Sequence, residues 1–125
     1  MAVLDAAVSQ GGRLPELYSG LDRAELPTVV SYPTSCSPQA WASGAPLLFL
    51  RTLLRFDPWV PHGKVWLDPV LPARLGAMQV QRIPLAGSRV SVMVEVDGSF
   101  KIEGLPEGLE LVERPRDPLT AAGLA

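Results

Sequence analysis

Thirteen prolines and eleven glycines, spread along 125 residues without a repeat, break this chain into short elements joined by many turns and argue against a long helical bundle. Helix is expected in few places. With 47% hydrophobic and 19% charged residues, the chain still has the apolar content of an ordinary globular domain with a modest core, so disorder throughout is not expected.

Charge and cysteine content close several classes. A net charge of −2 and a pI near 5.3 give no reason to expect nucleic acid, whose phosphates draw on clustered Lys and Arg. The longest apolar run, Ala45 to Leu50, is far short of the roughly 20 residues that cross a bilayer. The amino terminus also lacks a basic region followed by a continuous apolar segment, so no membrane partner and a cytoplasmic location are expected. One Cys and one His build neither an intramolecular disulfide nor a Cys/His zinc cluster, and neither a metal nor another cofactor is expected. Cys36 and His62 as a nucleophilic pair are set aside, because a lone Cys among prolines and serines is ordinarily a small packing residue.

Val3, Leu4, Ala7 and Val8 recur at spacings of three and four, which predicts a helix over residues 1–10 ended by Gly11-Gly12. Its start carries no capping residue, as expected either of the last turns of a longer helix or of a frayed initiator segment. From Arg13 to Ser37 neither period persists, and Pro15, Gly20, Pro27 and Pro33 predict a long loop. Loops of that length are uncommon unless functional or disordered, and the apolar residues here favour an ordered, packed one. Ser37-Pro38-Gln39 then predicts a helix start, with the Ser37 hydroxyl as cap and Pro38 in the first helical position. The main helix is expected from Ala40 to Phe56, apolar around nearly its whole circumference except for Arg51 and Arg55 and therefore buried. Pro46 should kink or divide it near Ser43-Gly44, and Asp57-Pro58 should stop it.

After Pro61 the period becomes two. Val65 and Leu67, Met78 and Val80, then Val90, Val92, Val94 and Val96 alternate with other residues, which predicts an antiparallel sheet covered on its valine face. A three-residue hairpin loop, Asp97-Gly98-Ser99, would set Val96 opposite Phe100 and Val94 opposite Ile102. A last strand, Leu109 to Glu113, is expected to close the same sheet. The expected organisation is a helical part over 1–60, a β part over 61–115 and a flexible tail over 116–125.

Three blocks carry a resemblance: Gly12-Arg13-Leu14-Pro15-Glu16-Leu17-Tyr18 with Gly20-Leu21-Asp22-Arg23; Tyr32-Pro33-Thr34-Ser35-Cys36-Ser37-Pro38-Gln39-Ala40-Trp41-Ala42; and Lys64-Val65-Trp66-Leu67-Asp68-Pro69-Val70-Leu71-Pro72. Together they resemble the carboxy-terminal part of bacterial amylo-α-1,6-glucosidase and glycogen-debranching-type glycoside hydrolases, over residues 1 to about 113. The resemblance implies an α+β chain: the terminal helices and active-site loop of an (α/α)6 barrel, followed by a small antiparallel β-sheet. Glu16 matches the position of the general base, which activates water for inversion while a second carboxyl protonates the leaving oxygen at roughly 6.5–9.5 Å separation.

Sugar recognition uses flat aromatic faces and bidentate polar groups, which makes Tyr18, Asp22, Tyr32, Gln39 and Trp41 the candidates for substrate binding. Gln39 and Trp41, two apart, cannot both line one pocket. Gln39 is preferred because a buried helix gives Trp41 a core position, and Asp22-Arg23 also fits an ion pair or turn. The helices expected to carry the general acid are not in these 125 residues, so an oligosaccharide substrate is expected only for the complete barrel and the chain alone is expected to be inactive and to expose apolar surface. Two further readings remain open: a non-catalytic partner that completes a separately encoded upstream barrel portion, and a stand-alone carbohydrate- or protein-binding module.

Overall fold

A computed structural model describes residues 2–117 and shows a mixed α+β fold; of the flexible tail expected over 116–125, residues 118–125 lie outside the described residues. Helices α1 (Ala2–Ser9) and α2 (Ala40–Leu54) precede strands β1 (Asp57–Trp59), β2 (Lys64–Trp66), β3 (Met78–Leu85), β4 (Ser88–Val94), β5 (Phe100–Glu103) and β6 (Glu110–Val112). Single 3-10 turns lie at Val60–His62 and Ala73–Leu75. The chain divides into two compact units between Leu50 and Arg51, inside α2.

In the first unit, α1 ends at the glycine pair. The Gly12 N–H donates to the Ala7 carbonyl at 2.7 Å and the Gly11 N–H to that of Val8 at 3.3 Å, with φ of 66° at Gly11. These nested bonds are a Schellman ending, which needs a residue in the left-handed region after the last helical turn. Packing in this unit runs through small side chains: Ala6, Ala7, Leu14 and Ala42 are buried together, edged by Tyr18, Val29 and Ala45.

The start of α2 differs from the expected one. Gln39, not Ser37, is the capping residue: its carbonyl accepts the first helical bond from Ser43 at 2.8 Å, and its side-chain Oε1 accepts the Ala40 N–H at 3.2 Å. The reason is that the Gln39 N–H is taken by the Leu14 carbonyl at 3.3 Å, which holds residues 36–39 against the preceding loop. The helix runs unbroken through Pro46 and ends at Leu54, two residues before the expected end. Arg55 adopts φ of 47° and forms a second Schellman ending, with Phe56 N–H to Arg51 O at 3.0 Å and Arg55 N–H to Thr52 O at 3.1 Å. Asp57 and Pro58, read as a stop, are strand residues. Nor is α2 buried all round: Trp41 and Leu47 are 66% and 69% exposed, because the helix meets its neighbours in this unit through Ala42 and Ala45.

The second unit holds two three-stranded sheets where one was expected. One is β3-β4-β5, wholly antiparallel; the other is β1-β2-β6, in which β2 pairs antiparallel with β1 and parallel with β6. Strand β6 therefore does not close the antiparallel sheet. It takes the edge of β2, and the intervening strands supply the long crossover that a parallel pair needs. Val65 and Trp66 of β2 and Leu67 just after it are buried in succession, so the strand is covered on both faces and its alternation is hidden.

Val90, Val92 and Val94 form the expected buried face of β4 and share a core with Leu54, Phe56, Val65, Leu67 and Leu85. Strand β3 matches that face only by irregularity. Val80 pairs with Val92 and Ile83 with Val90, so β3 advances three residues while β4 advances two, with Arg82 at φ of 60°. This bulge returns Ile83 and Leu85 to the face of Met78 and Val80, from which strict alternation would exclude them.

The β4–β5 loop has three residues as expected, but they are Val96-Asp97-Gly98. Glu95 N–H donates to Ser99 O at 2.8 Å, Gly98 N–H to Glu95 O at 3.0 Å, and Val94 pairs with Phe100. The register moves by two, so the same side chains still face the core, while Val96 lies in the turn at 79% exposure. Gly98, at φ of 87°, takes the last loop position, where a left-handed residue is required. Asp97 Oδ1 accepts the Ser99 hydroxyl at 2.6 Å and the Ser99 N–H at 2.9 Å, and these bonds hold its carboxyl below the usual range.

Two substitutions test this architecture. Gly104 has φ of 76°, and a Cβ there would lie 2.6 Å from the Arg89 carbonyl oxygen. Gly104→Ala is expected to cost about 3 kcal/mol in urea unfolding, and a loss under about 1 kcal/mol would contradict this close approach. The β3–β4 turn is Ala86-Gly87, both with positive φ (46° and 81°), as in a type I′ turn. Ala86→Asn is expected to add about 0.5–1 kcal/mol, because Asn tolerates that region better; a destabilised variant would show the turn to be of another type.

Candidate functional site

The long loop is an ordered ribbon. Glu16 N–H donates to Cys36 O at 3.0 Å, Tyr32 N–H to Leu17 O at 3.2 Å, and Ser19 N–H to Val30 O at 2.8 Å, around a bridge between Tyr18 and Ser31. The Gln10 amide, just past α1, donates to Val29 O at 3.3 Å and accepts the Ser31 hydroxyl at 3.1 Å. Backbone bonds satisfy a segment too rich in proline for a regular element, and buried Leu14 and Pro15 anchor its base. Other apolar residues of the ribbon, Leu17, Leu21, Leu26 and Val30, are exposed, so it is less packed than expected.

The ribbon brings some candidates together. Glu16 is half-buried, opposite Cys36, and its Oε2 accepts the Cys36 N–H at 3.4 Å. Gln39 caps α2 beside Leu14, so Glu16 and Gln39 share the base of the ribbon. Tyr18 and Tyr32 follow along it, Tyr18 facing the alanine cluster and Tyr32 about half exposed. Asp22 lies apart, at the tip, where its Oδ1 accepts the Ala24 N–H at 2.8 Å and its carbonyl accepts the Leu26 N–H at 2.9 Å; Arg23 bonds Pro27 O at 3.2 Å. This is the turn weighed for Asp22-Arg23. Trp41 stands exposed in the first turn of α2 rather than in a core position. An open depression of about 320 Å³ is lined by Arg13, Pro38, Ala40 and Ser43, flanking Gln39 in sequence.

Sequence reasoning missed a second group. In β1 and β2, Asp57 pairs with Trp66 and Trp59 with Lys64. Arg116 lies over the rings of both Trp59 and Trp66 and is ion-paired to Asp57, while His62 meets Trp59 edge-on at 4.3 Å. Two tryptophans and a histidine within residues 59–66, around the Gly63 turn, were the available signal. The other strand aromatic, Phe100, packs against the core, so the strands offer no bare aromatic platform among the described residues.

Among the described residues no group of three or more His, Cys, Asp or Glu is placed to hold a metal ion, and no helix is long and apolar enough to cross a membrane. Comparison with protein-family models, with curated proteins and with solved structures finds no match.

Tyr18 offers a direct test of whether its hydroxyl serves the fold. Among the described residues that oxygen is buried without a hydrogen-bond partner, and burial raises its pKa above the usual phenol value. An unsatisfied buried hydroxyl costs about 1–3 kcal/mol. Tyr18→Phe is therefore expected to leave thermal stability unchanged or raise it by up to about 1 kcal/mol. A clear loss of stability would mean that the hydroxyl is bonded in solution.

Proposed function

We propose that this chain is the carboxy-terminal part of an amylo-α-1,6-glucosidase-like, glycogen-debranching-type hydrolase of the cytoplasm, in which residues 1–60 belong to the (α/α)6 barrel and Glu16 is the general base for inversion. The observation that carries this reading is the placement of Glu16. Glu16 is half-buried and fixed on an ordered ribbon beside the cap of α2, and among the described residues its Oε2 accepts one long bond, from the Cys36 N–H. A carboxylate held that lightly keeps lone pairs for a water proton, as a general base must. Tyr18, Tyr32 and Gln39 along the same ribbon are the proposed sugar contacts, and Asp22 would contribute from the tip.

The 125 residues are proposed to be inactive alone. Inversion needs a second carboxyl at roughly 6.5–9.5 Å across the glycosidic bond. The other acids of the first unit are Asp5, on α1, and Asp22 and Glu25, at the ribbon tip. One positioned base contributes about 10²–10⁴-fold, far below the roughly 10⁶-fold and more of complete enzymes.

The exposure of Trp41 and Leu47 on α2 favours one variant of this proposal, in which a separately encoded barrel portion covers these residues and gains Glu16 from this chain. The experiment is to assay residues 1–125 on α-1,6- and α-1,4-linked glucose oligosaccharides, alone and co-expressed with the polypeptide encoded immediately upstream. Glucose, released first as the β-anomer, is expected only from the combination, and Glu16→Gln should lower kcat by about 10²–10⁴-fold with KM little changed. Release by the chain alone, or full activity of Glu16→Gln in the combination, would overturn the reading.

A further inference from the structure

Trp59 and Trp66 both lie within cation–π reach of one cation. The Arg116 Cζ lies 5.1 Å from the ring centroid of Trp59 and 5.9 Å from that of Trp66. The two rings are 6.3 Å apart and inclined at 43°, so they form a cleft rather than a stack. His62 abuts Trp59 at an interplanar angle of 63° and braces its orientation. At the edge of the cleft, Asp57 Oδ2 is ion-paired with Arg116 Nε, while its Oδ1 takes Arg51 Nη2 at 2.9 Å.

Two indole faces and a carboxylate suit a cation, and they suit a guanidinium better than an ammonium. The planar group lies against the rings and donates N–H bonds from its edge at the same time, which a compact, strongly hydrated ammonium does not. The occupant is partly exposed: Arg116 and Asp57 each keep 27% of their side chain in solvent, over a buried Trp66. Among the described residues, the segment carrying Arg116 makes local contacts. After β6, Arg114 N–H bonds Val112 O at 3.0 Å and Arg114 Nη1 bonds Asp117 at 2.9 Å, both local contacts, while Arg116 reaches across to β1 and β2.

We propose that Trp59, Trp66 and Asp57 form a guanidinium-binding cage which Arg116 fills in cis, and which takes the arginine side chain of a partner polypeptide when Arg116 withdraws. The cage is built from residues of the second unit and does not rest on the role given to Glu16. Asp57 sets the register of the ligand, the indoles set its plane, and Arg116 sets the threshold a competing arginine must overcome.

The test uses the full chain carrying Trp41→Phe, so that indole fluorescence reports Trp59 and Trp66. In that background Arg116→Ala is expected to bind ethylguanidinium saturably at roughly millimolar concentration. Ethylammonium should bind roughly tenfold more weakly or worse. N-acetyl-arginine amide should match ethylguanidinium, the chain with Arg116 intact should require at least about tenfold more of either ligand, and adding Asp57→Asn should abolish saturation. If Arg116→Ala does not fold, Arg116→Lys is titrated instead, with displacement of the lysine by ethylguanidinium as the expected result. A non-saturating response, equal binding of ethylguanidinium and ethylammonium, indifference to Asp57→Asn, or failure of N-acetyl-arginine amide where ethylguanidinium binds would each overturn the proposal.

Discussion

The valine face of β4 is the constraint on which the second unit depends. Val90, Val92 and Val94 are almost wholly buried, and a strand with three β-branched residues on one face is stable only if both neighbours present apolar side chains to the same side. Strand β5 does so by simple alternation through Phe100 and Ile102. Strand β3 cannot, because its apolar residues change parity between Val80 and Ile83, and the bulge at Arg82 restores them at the cost of a non-glycine residue with positive φ. The β1-β2-β6 sheet contributes Val65 and Leu111 to the same core, joined by Leu67 just after β2, which lets two sheets of three strands share one interior.

The first unit is built on a different principle. Its buried cluster is mostly alanine, so it gains little from apolar burial and relies on backbone bonds along the ribbon and on the Gln10 side chain to keep its shape. A segment made this way positions polar groups without enclosing them. Glu16 is held but not sealed, and Trp41 is presented but not covered. Such an arrangement fits a surface completed by other polypeptide, consistent with the proposed place of this chain in a larger barrel.

Local chemistry was legible wherever it depended on neighbours in sequence. The Gly11-Gly12 ending, the valine alternation, the three-residue loop length and the turn at Asp22-Arg23 all follow from residue types at fixed offsets. Positions that depended on distant partners were misread. Ser37 loses the cap to Gln39 because Leu14 claims the Gln39 amide; Asp57-Pro58 becomes a strand because β2 pairs with it; and Leu109 to Glu113 yields a parallel β6 because the open edge lay on β2. Of the candidate site, the sequence indicated residue types and a loop, while the nearness of Glu16 to Gln39 and the remoteness of Asp22 came from the pairing of the ribbon with itself.

The sequence by itself therefore determined the α+β class, the two helical stretches and the identity of the core valines, because periodicity and glycine or proline chemistry act within a few residues. The tertiary structure alone decided the split into two sheets, the β3 bulge and the seating of Arg116 over Trp59 and Trp66. The sheet split and the Arg116 seat join residues far apart in the chain, as Asp57 is from Arg116, while the bulge depends on how β3 pairs with β4. Which partner a strand edge or a charge finds is set by the packing of the whole unit rather than by any local preference.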